Sequence, residues 1–403
     1  MDQVSHRDAT PKAKASGKQL WASEEWSMSG GKWDRTGAMF LARLLNKLYI
    51  RDRICKTEIW CPIDSIYDGL PWSDTGAMQA DTPWSGHYTV WPAIWAVAHT
   101  TQFARPGWRY LDGACGQIDP KTWKGTYVTL RDPQTGDWSM IVCTDGPTTL
   151  AVALAEGLKA DCVHVWHSDA RAQFVKEADR LTADGAFTIA LEGDSIYSLT
   201  TTTGQRKGAA AHAIPPAKPF PLPYHEDFES YQPGDSPRYF TDQKGTFEVW
   251  DEPGHGRCLK QIVPRPGIMW EYMRDVLKPY TVIGDQHWLD YSLSAEVRLA
   301  GGSVELGGRY GDQNKLSYRW VLAQDGAWKL NCQEKVLASG AAKDFHAAKW
   351  HVMKLVLHGD TVQGSIDGQL LAAVKDASRS NGMAYLASTY DGNLFDDVNL
   401  SVP

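Results

Sequence analysis

Residues 17–27 read GKQLWASEEWS. Apolar Leu20 and Trp21 give way to small Ala22 and Ser23, and then to Glu24, Glu25 and Trp26. That order reads as one short strand, Gly17 to Glu24, running into a turn that carries two carboxylates. An acid at the C-terminal mouth of a strand, beside an indole, suits presentation of a carboxyl group to a sugar, because indole faces pack on the C–H faces of pyranose rings. Working outward, Leu41, Leu44, Leu45 and Leu48 recur at i, i+3, i+4 and i+7, so residues 37–50 are expected to be helical. TEIWCPI at 57–63 is the next strand, stopped by Pro62 and Asp64. After a long loop, Pro92 opens a second helix reaching Phe103, with proline in its first turn. Strand, helix, strand, loop and helix in this order are the grammar of a parallel α/β sheet.

After Pro106-Gly107 the grammar changes to short strands and turns. Residues 124–130 and 138–144 flank a turn at Pro133–Gly136. Residues 187–191 and 196–201 flank Glu192-Gly193-Asp194 and read as an antiparallel hairpin. IPPAKPFPLP at 214–223 reads as a stiff, extended linker. Beyond it, Tyr291, Leu293, Ala295, Val297 and Leu299 alternate cleanly. Strands at 315–322, 327–332, 350–357 and 361–366 continue that pattern, with turns at Asp325-Gly326 and Asp367-Gly368. A run of this kind is a β-sandwich. The fold class is therefore α+β and multidomain: a loop remnant at 1–16, an α/β segment at 17–103, a β-sandwich at 104–213, the linker, and a second sandwich at 224–403. The α/β segment poses a physical problem. A closed (β/α)₈ barrel takes roughly 250 residues, and 17–103 has room for two of its strands. Such a pair cannot cover both of its own faces, so the segment either packs on something else or is part of a larger barrel.

Composition narrows the function. A net charge of -7 with a pI near 5.9 argues against nucleic acid as a partner. No apolar run approaches the length of a membrane span, and the polar first sixteen residues carry no signal-peptide h-region. The seven cysteines, at 55, 61, 115, 143, 162, 258 and 332, show no CxxC and no His/Cys ligand spacing. Their odd number fits free thiols, with Cys55 and Cys61 the pair spaced to bridge. The Asn399-Leu400-Ser401 sequon lies at the extreme C-terminus. Many of the eighteen tryptophans are expected in cores, and such enrichment also suits carbohydrate binding.

Several stretches together carry a resemblance. GKQLWASEEWS, EIW at 58–60, GLPW at 69–72, TPWSGHY at 82–88, AHTTQFARPGWRYL at 98–111 and TTTTGQRKG at 200–208 resemble the galactosylceramidases (galactocerebrosidases) of glycoside hydrolase family 59. GDQHW at 284–288 and FDDV at 395–398 resemble that family's C-terminal lectin-like domain. The resemblance implies a (β/α)₈ barrel, a β-sandwich and a lectin-like β-sandwich of jelly-roll type, with this chain entering the barrel just before its seventh strand. It implies a retaining β-galactosidase that acts on galactosylceramide or related galactolipids. Retention needs two carboxyl groups about 5–5.5 Å apart, one nucleophile and one acid/base.

Residue by residue, Glu24 matches the nucleophile, and Glu25 is the better candidate for a surface or helix-entry acid. Ser27 matches a position beside the galactose and equally suits a turn cap. Trp60 matches a tryptophan lining the sugar, with barrel core as its other reading. Trp72 stands where the family has tyrosine, which keeps the stacking and loses the phenolic hydroxyl. Arg206 matches an arginine reaching into the site, where a guanidinium donates to sugar hydroxyls and to the nucleophile. Lys207 reads as a solvated tip, and His87 and His99 as residues that fix local structure. Glu226-Asp227 and Asp396-Asp397, on the first and last strands of the final sandwich, resemble a structural calcium site or are solvated edge acids. Catalysis itself requires no cofactor. The resemblance places the acid/base glutamate on barrel strand four, outside this sequence. The expected partners are a galactolipid or β-galactoside, with a lipid-presenting protein or the remaining barrel half alongside. Family members are lysosomal or secreted. Two rival readings are a non-catalytic carbohydrate-binding relic, and a related bacterial β-glycosidase of different sugar specificity, such as a β-galactanase or a glucosylceramidase-like enzyme. An open strand edge at 17–103 is expected to drive poor solubility or self-association.

Overall fold

The computed structural model describes residues 9–26, 34–64, 76–155, 157–209, 211–267, 278–311 and 316–402. The chain divides into two compact units, one built from residues up to 64, 76–80 and 88–215, the other from 81–87 and 216–402.

In the first unit, β1 (Leu20–Trp26) and β2 (Ile54–Trp60) lie parallel, joined by helix α1 (Arg35–Asp52). The helix starts where Asp34 Oδ1 accepts from the backbone N–H groups of Thr36 (2.8 Å) and Gly37 (3.3 Å). It ends at Arg53, which turns into the left-handed region at φ 58°. Leu44 and Leu48 face Ala22 and Ile54 of the strands. Ala38, Met39, Ala42 and Tyr49 face Val128, Leu130, Ile141 and Cys143 of the neighbouring sheet. The helix is therefore covered on two sides, and the α/β segment and first sandwich share one core. Between these layers the buried Asn46 amide donates to the carbonyls of Thr126 and Ile141, which satisfies it where water cannot reach.

The main sheet of this unit contains β3 (Thr126–Arg131), β4 (Trp138–Thr144), β6 (Cys162–Ser168) and β8 (Ser195–Thr200), in the order β6-β8-β4-β3. A separate pair, β5 (Thr148–Ala153) and β7 (Ala186–Leu191), is antiparallel. Val152, Phe187, Ile189 and Leu191 of that pair pack on Trp138, Val142, Val165 and Leu199 of the main sheet. The main sheet is thus buried on both faces, by helices on one side and by strands on the other. Every residue of β4 and β8 is accordingly buried, while β7 alternates exposed and buried. Within residues 104–213 these two sheets pack face to face, and β3 and β4 pair across the turn at 133–136. The expected hairpin across 192–194 does not form: β7 pairs with β5, whereas β8 pairs with β4 and β6. The turn residues were read correctly, but they carry the chain from one sheet to the other.

Helix α2 (Pro92–Thr101) buries Ala93, Ala96, Ala98 and His99. His99 is fully buried, its Nδ1 2.9 Å from Ser198 Oγ and its Nε2 2.8 Å from Ser168 Oγ. Burial, reinforced by His167, pushes its pKa down to about 3, so it stays neutral and fixes α2 to β6 and β8.

The second unit is a sandwich of two antiparallel sheets. One runs in the order Phe247–Glu252, Gly256–Gln261, Leu394–Ser401, Tyr291–Arg298, His351–His358, Thr361–Ile366, Gln369–Lys375, with Tyr224–Glu226 beside Leu394–Ser401. The other runs Thr241–Lys244, Tyr280–Ile283, Met383–Ser388, Ser303–Gly311, Leu316–Ala323, Ala327–Cys332, Lys335–Ala341. Tyr291, Leu293, Ala295 and Val297 are all at 0% exposure, as their alternation requires. Part of the proline-rich stretch is no linker. Phe220 is buried among Trp84, Tyr224, Tyr239 and Trp288, at ring distances of 5.2–5.5 Å. Residues 214–223 form no helix or strand, as their prolines demand, but Phe220 joins the core and Leu222 packs against it.

Candidate active site

The site begins with an irregularity. In the β1–β2 ladder Ala22 lies opposite Thr57 and Glu25 lies opposite Ile59, so β1 takes three steps where β2 takes two. The extra residue falls at Ser23-Glu24 and forms a β-bulge. Strict alternation would keep Ala22 and Glu24 on one face; Ala22 packs against Leu44 and Leu48, which would turn Glu24 toward the helix. With the bulge, Glu24 is exposed and Glu25 is buried. The choice of Glu24 over Glu25 as the acid available to a ligand therefore has a backbone cause. Glu25 is no surface acid.

Trp60 ends β2 opposite Trp26 and is 38% exposed. It is not core. Lys56, Glu58 and Trp60 recur at every second position along the exposed face of β2, with Lys56 Nζ 2.6 Å from Glu58 Oε1 and 4.3 Å above the Trp21 ring. The parallel pair thus presents Trp21, Glu24, Glu58 and Trp60 to solvent while Ile59 packs inward with Leu41, Ala77 and Ala93. Ser27 and Trp72 lie outside the described residues.

Arg206 follows β8 and is held by its backbone. Its N–H donates to Gln102 Oε1 (3.0 Å) and its carbonyl accepts from Gln102 Nε2 (2.9 Å). The amide of Gln102, just past α2, acts as a two-pronged clip that leaves the Arg206 guanidinium exposed. Gln102 was not singled out in the sequence; its signal was its place in AHTTQF, directly after the helix. Beside it lies an open groove of about 490 Å³ lined by Gln102, Arg105, Trp108, Asp132, Asp137 and Gln205 among others. Lys207 is more than a solvated tip: Nζ donates to the Gln173 carbonyl (2.6 Å) and sits 4.7 Å over the Trp95 ring.

The acids of the last sandwich are neighbours by strand order, with Glu226 in register with Val398. Their oxygens have separate partners. Glu226 accepts from the hydroxyls of Tyr224 and Tyr231 and from the Phe228 N–H. Asp227 accepts from the Glu229 N–H, Asp397 lies 2.8 Å from His225, and Asp396 lies 2.6 Å from His255. Burial raises the Asp396 pKa to about 6 despite donation from the Asp397 N–H and from His255. Among the described residues these four acids do not gather three ligand atoms within 4.8 Å of one another. The calcium expectation rests on the resemblance alone. All seven cysteines are free thiols, as their odd count suggested, and the alternative Cys55–Cys61 bridge does not form.

Comparison with known proteins finds one family at both ends of the chain. The sequence model of glycosyl hydrolase family 59 matches residues 2–102, which contain β1, the bulge and Trp60. That of the galactocerebrosidase C-terminal lectin domain matches residues 242–402. Over these two stretches the chain is similar to the galactocerebrosidases and to glycosyl hydrolase family 59. It is 32% identical to the galactocerebrosidase of Mus musculus over 89% of this chain and 57% of that protein. The Homo sapiens galactocerebrosidase is 29% identical over the same shares, and that of Danio rerio 30% identical over 95% of this chain and 63% of the fish protein. The chain therefore spans 57–63% of the length of these relatives. Among solved structures it is similar to a glycoside hydrolase family 30 subfamily 8 xylanase from Clostridium acetobutylicum, at 14% identity and a TM-score of 0.39, over 48% of this chain and 45% of that one. It is also similar to a family 66 carbohydrate-binding module from Bacillus subtilis, at 16% identity and a TM-score of 0.32, over 40% and 95%. Likenesses at this level carry no argument about the fold.

Proposed function

We propose that this chain carries the nucleophile of a galactosylceramidase-like retaining glycoside hydrolase that cleaves the β-galactosyl bond of galactosylceramide or a related galactolipid. The observation that supports this most is the bulge in β1, which exposes Glu24 at the strand's C-terminal end, with Trp60 ending the neighbouring strand. In this reading β1 and β2 are the seventh and eighth strands of a (β/α)₈ barrel. Glu24 attacks the anomeric carbon and forms a galactosyl ester while the lipid alcohol leaves; water then cleaves the ester. Trp60 packs on the sugar, and Arg206, set by Gln102, donates to hydroxyls or to the nucleophile. No residue of this chain is assigned the acid/base role, so the reading is tested with a leaving group that needs no proton. Incubation with 2,4-dinitrophenyl 2-deoxy-2-fluoro-β-galactoside should release dinitrophenolate once and leave the sugar on the peptide containing Glu24. A label on any other residue would sink the assignment.

The match of residues 242–402 to a lectin domain favours a second reading, carbohydrate binding without turnover. Galactoside binding by the chain with no dinitrophenolate burst would select it. A structural calcium in the sandwich and a lipid-presenting partner remain proposals that follow from the family alone.

A further inference from the structure

Far along the chain from β1 and β2, the sequence Cys162-Val163-His164 opens β6. Alternation puts Val163 into the sandwich core at 0% exposure and turns Cys162 and His164 to the opposite face. The short strand Arg180–Leu181 runs antiparallel beside β6, with Arg180 opposite Val163 and Leu181 opposite Cys162. The same register brings Asp179 alongside His164. The Cys162 Sγ, a His164 ring nitrogen and an Asp179 carboxylate oxygen all lie within 4.8 Å of one another, and they are the only such group of three among the described residues. His164 Nδ1 is 3.0 Å from Asp179 Oδ2. That nitrogen is itself buried and makes no hydrogen bond of normal geometry, so the two atoms approach without an N–H aimed along the line between them.

A thiol, an imidazole nitrogen and a carboxylate converging from three positions are the donor set of a tetrahedral transition-metal site with one place left for water. The opening is consistent with that: Cys162 is half-buried, and the His164 and Asp179 side chains are 18% and 35% exposed. We propose that Cys162, His164 and Asp179 form a binding site for a zinc-like divalent cation that ties β6 to the turn before Arg180. Binding replaces the thiol proton: the ion takes the Cys162 thiolate, the neutral His164 nitrogen, one Asp179 oxygen and a water, and one proton goes to solvent. Without an ion, burial and the neighbouring Asp179 hold the Cys162 thiol in its protonated form. Lys176, 3.4 Å from Asp179 Oδ1, competes for the carboxylate. The sequence shows no His/Cys ligand spacing, because Cys162-Val163-His164 becomes a ligand pair only when a third donor arrives from a turn that the register brings near.

Cobalt titration of the whole 403-residue chain under reducing conditions tests the site, because Co²⁺ bound to a thiolate gives a charge-transfer band in the near ultraviolet. One equivalent should bind with that band, and zinc should displace it. Cys162→Ser should remove the band and weaken binding roughly tenfold or more. Asp179→Asn should weaken binding and keep the band. Lys176→Gln should tighten it, which a merely structural hydrogen-bond cluster would not do. Cys55→Ser, at an exposed thiol away from the cluster, should change nothing. No band in the parent chain, or a band that survives Cys162→Ser, overturns the proposal. If Cys162→Ser does not fold by circular dichroism, His164→Gln decides, and undiminished cobalt affinity there overturns it equally.

Discussion

The parallel pair β1–β2 and the sandwich at residues 224–402 are both β-structure, and they handle their surfaces in opposite ways. In the sandwich, two sheets bury each other: Tyr291, Leu293, Val304, Trp320, Leu355 and Leu386 are all at 0% exposure. In the pair, one face packs on α1 and the other shows Trp21, at 57% exposure, with Trp60 and Glu24. A sheet face that carries indoles and a carboxylate into solvent contributes little to holding the fold and is available for a ligand. The sandwich spends its aromatic residues on stability, and the pair spends them on surface.

Four outcomes would break or sharpen that comparison, taken from the largest expected effect down. Glu24→Gln should lower kcat/KM on 2,4-dinitrophenyl β-galactoside by roughly 10³-fold or more, while urea denaturation moves by less than about 0.5 kcal/mol. A small kinetic effect would remove Glu24 as nucleophile. Next, Trp320→Ala should destabilise the sandwich by about 3–5 kcal/mol, because its ring fills the space over Gly364 and packs on Trp328. Trp21→Ala should stay within about 0.5 kcal/mol. Equal losses would mean that β1 is as buried as the sandwich core. Third, Gln102→Ala should raise KM several-fold with a smaller change in kcat, since it frees the Arg206 backbone without touching the chemistry. An unchanged KM would separate Arg206 from substrate binding.

The smallest effect concerns pH. The pKa of Asp396 is raised from 3.8 to about 6, chiefly by burial. A raised pKa means the folded state favours the protonated acid, so this contribution is fully present below 3.8 and lost as pH climbs through about 6. Denaturation at a series of pH values should show Asp396→Asn with a flatter profile across that window than the parent sandwich. Parallel profiles would show that the His255 contact compensates the burial. Alongside these, the open strand edge at 17–103 is expected to make the chain self-associate, and a monodisperse sample in light scattering would count against that expectation.

Much of the architecture was legible where a local signal suffices. The strands Trp138–Thr144, Ala327–Cys332 and Thr361–Ile366 fall where their composition put them. The turn at Asp367-Gly368 has both residues at positive φ, as its sequence demands. Pairing between distant strands was not legible. Glu192-Gly193-Asp194 reads the same whether it joins neighbours in one sheet or carries the chain between two, because turn residues specify a reversal and not a partner. Phe220 looked like part of a linker because prolines set its backbone, yet burial of its ring outweighs that local preference.

For the site, the sequence by itself determined which carboxylates and indoles were candidates, through the order of LWASEEW and its family resemblance. The resemblance already pointed to Glu24; the tertiary structure supplied the physical reason why Glu24 is exposed and Glu25 buried, since one extra residue in β1 reverses the side-chain alternation that the strand would otherwise keep. Only it brought Asp179 to Cys162 and His164, or clipped Arg206 to Gln102. These are contacts between segments far apart in the chain. Their geometry is set by sheet register and burial, which no short window of sequence contains.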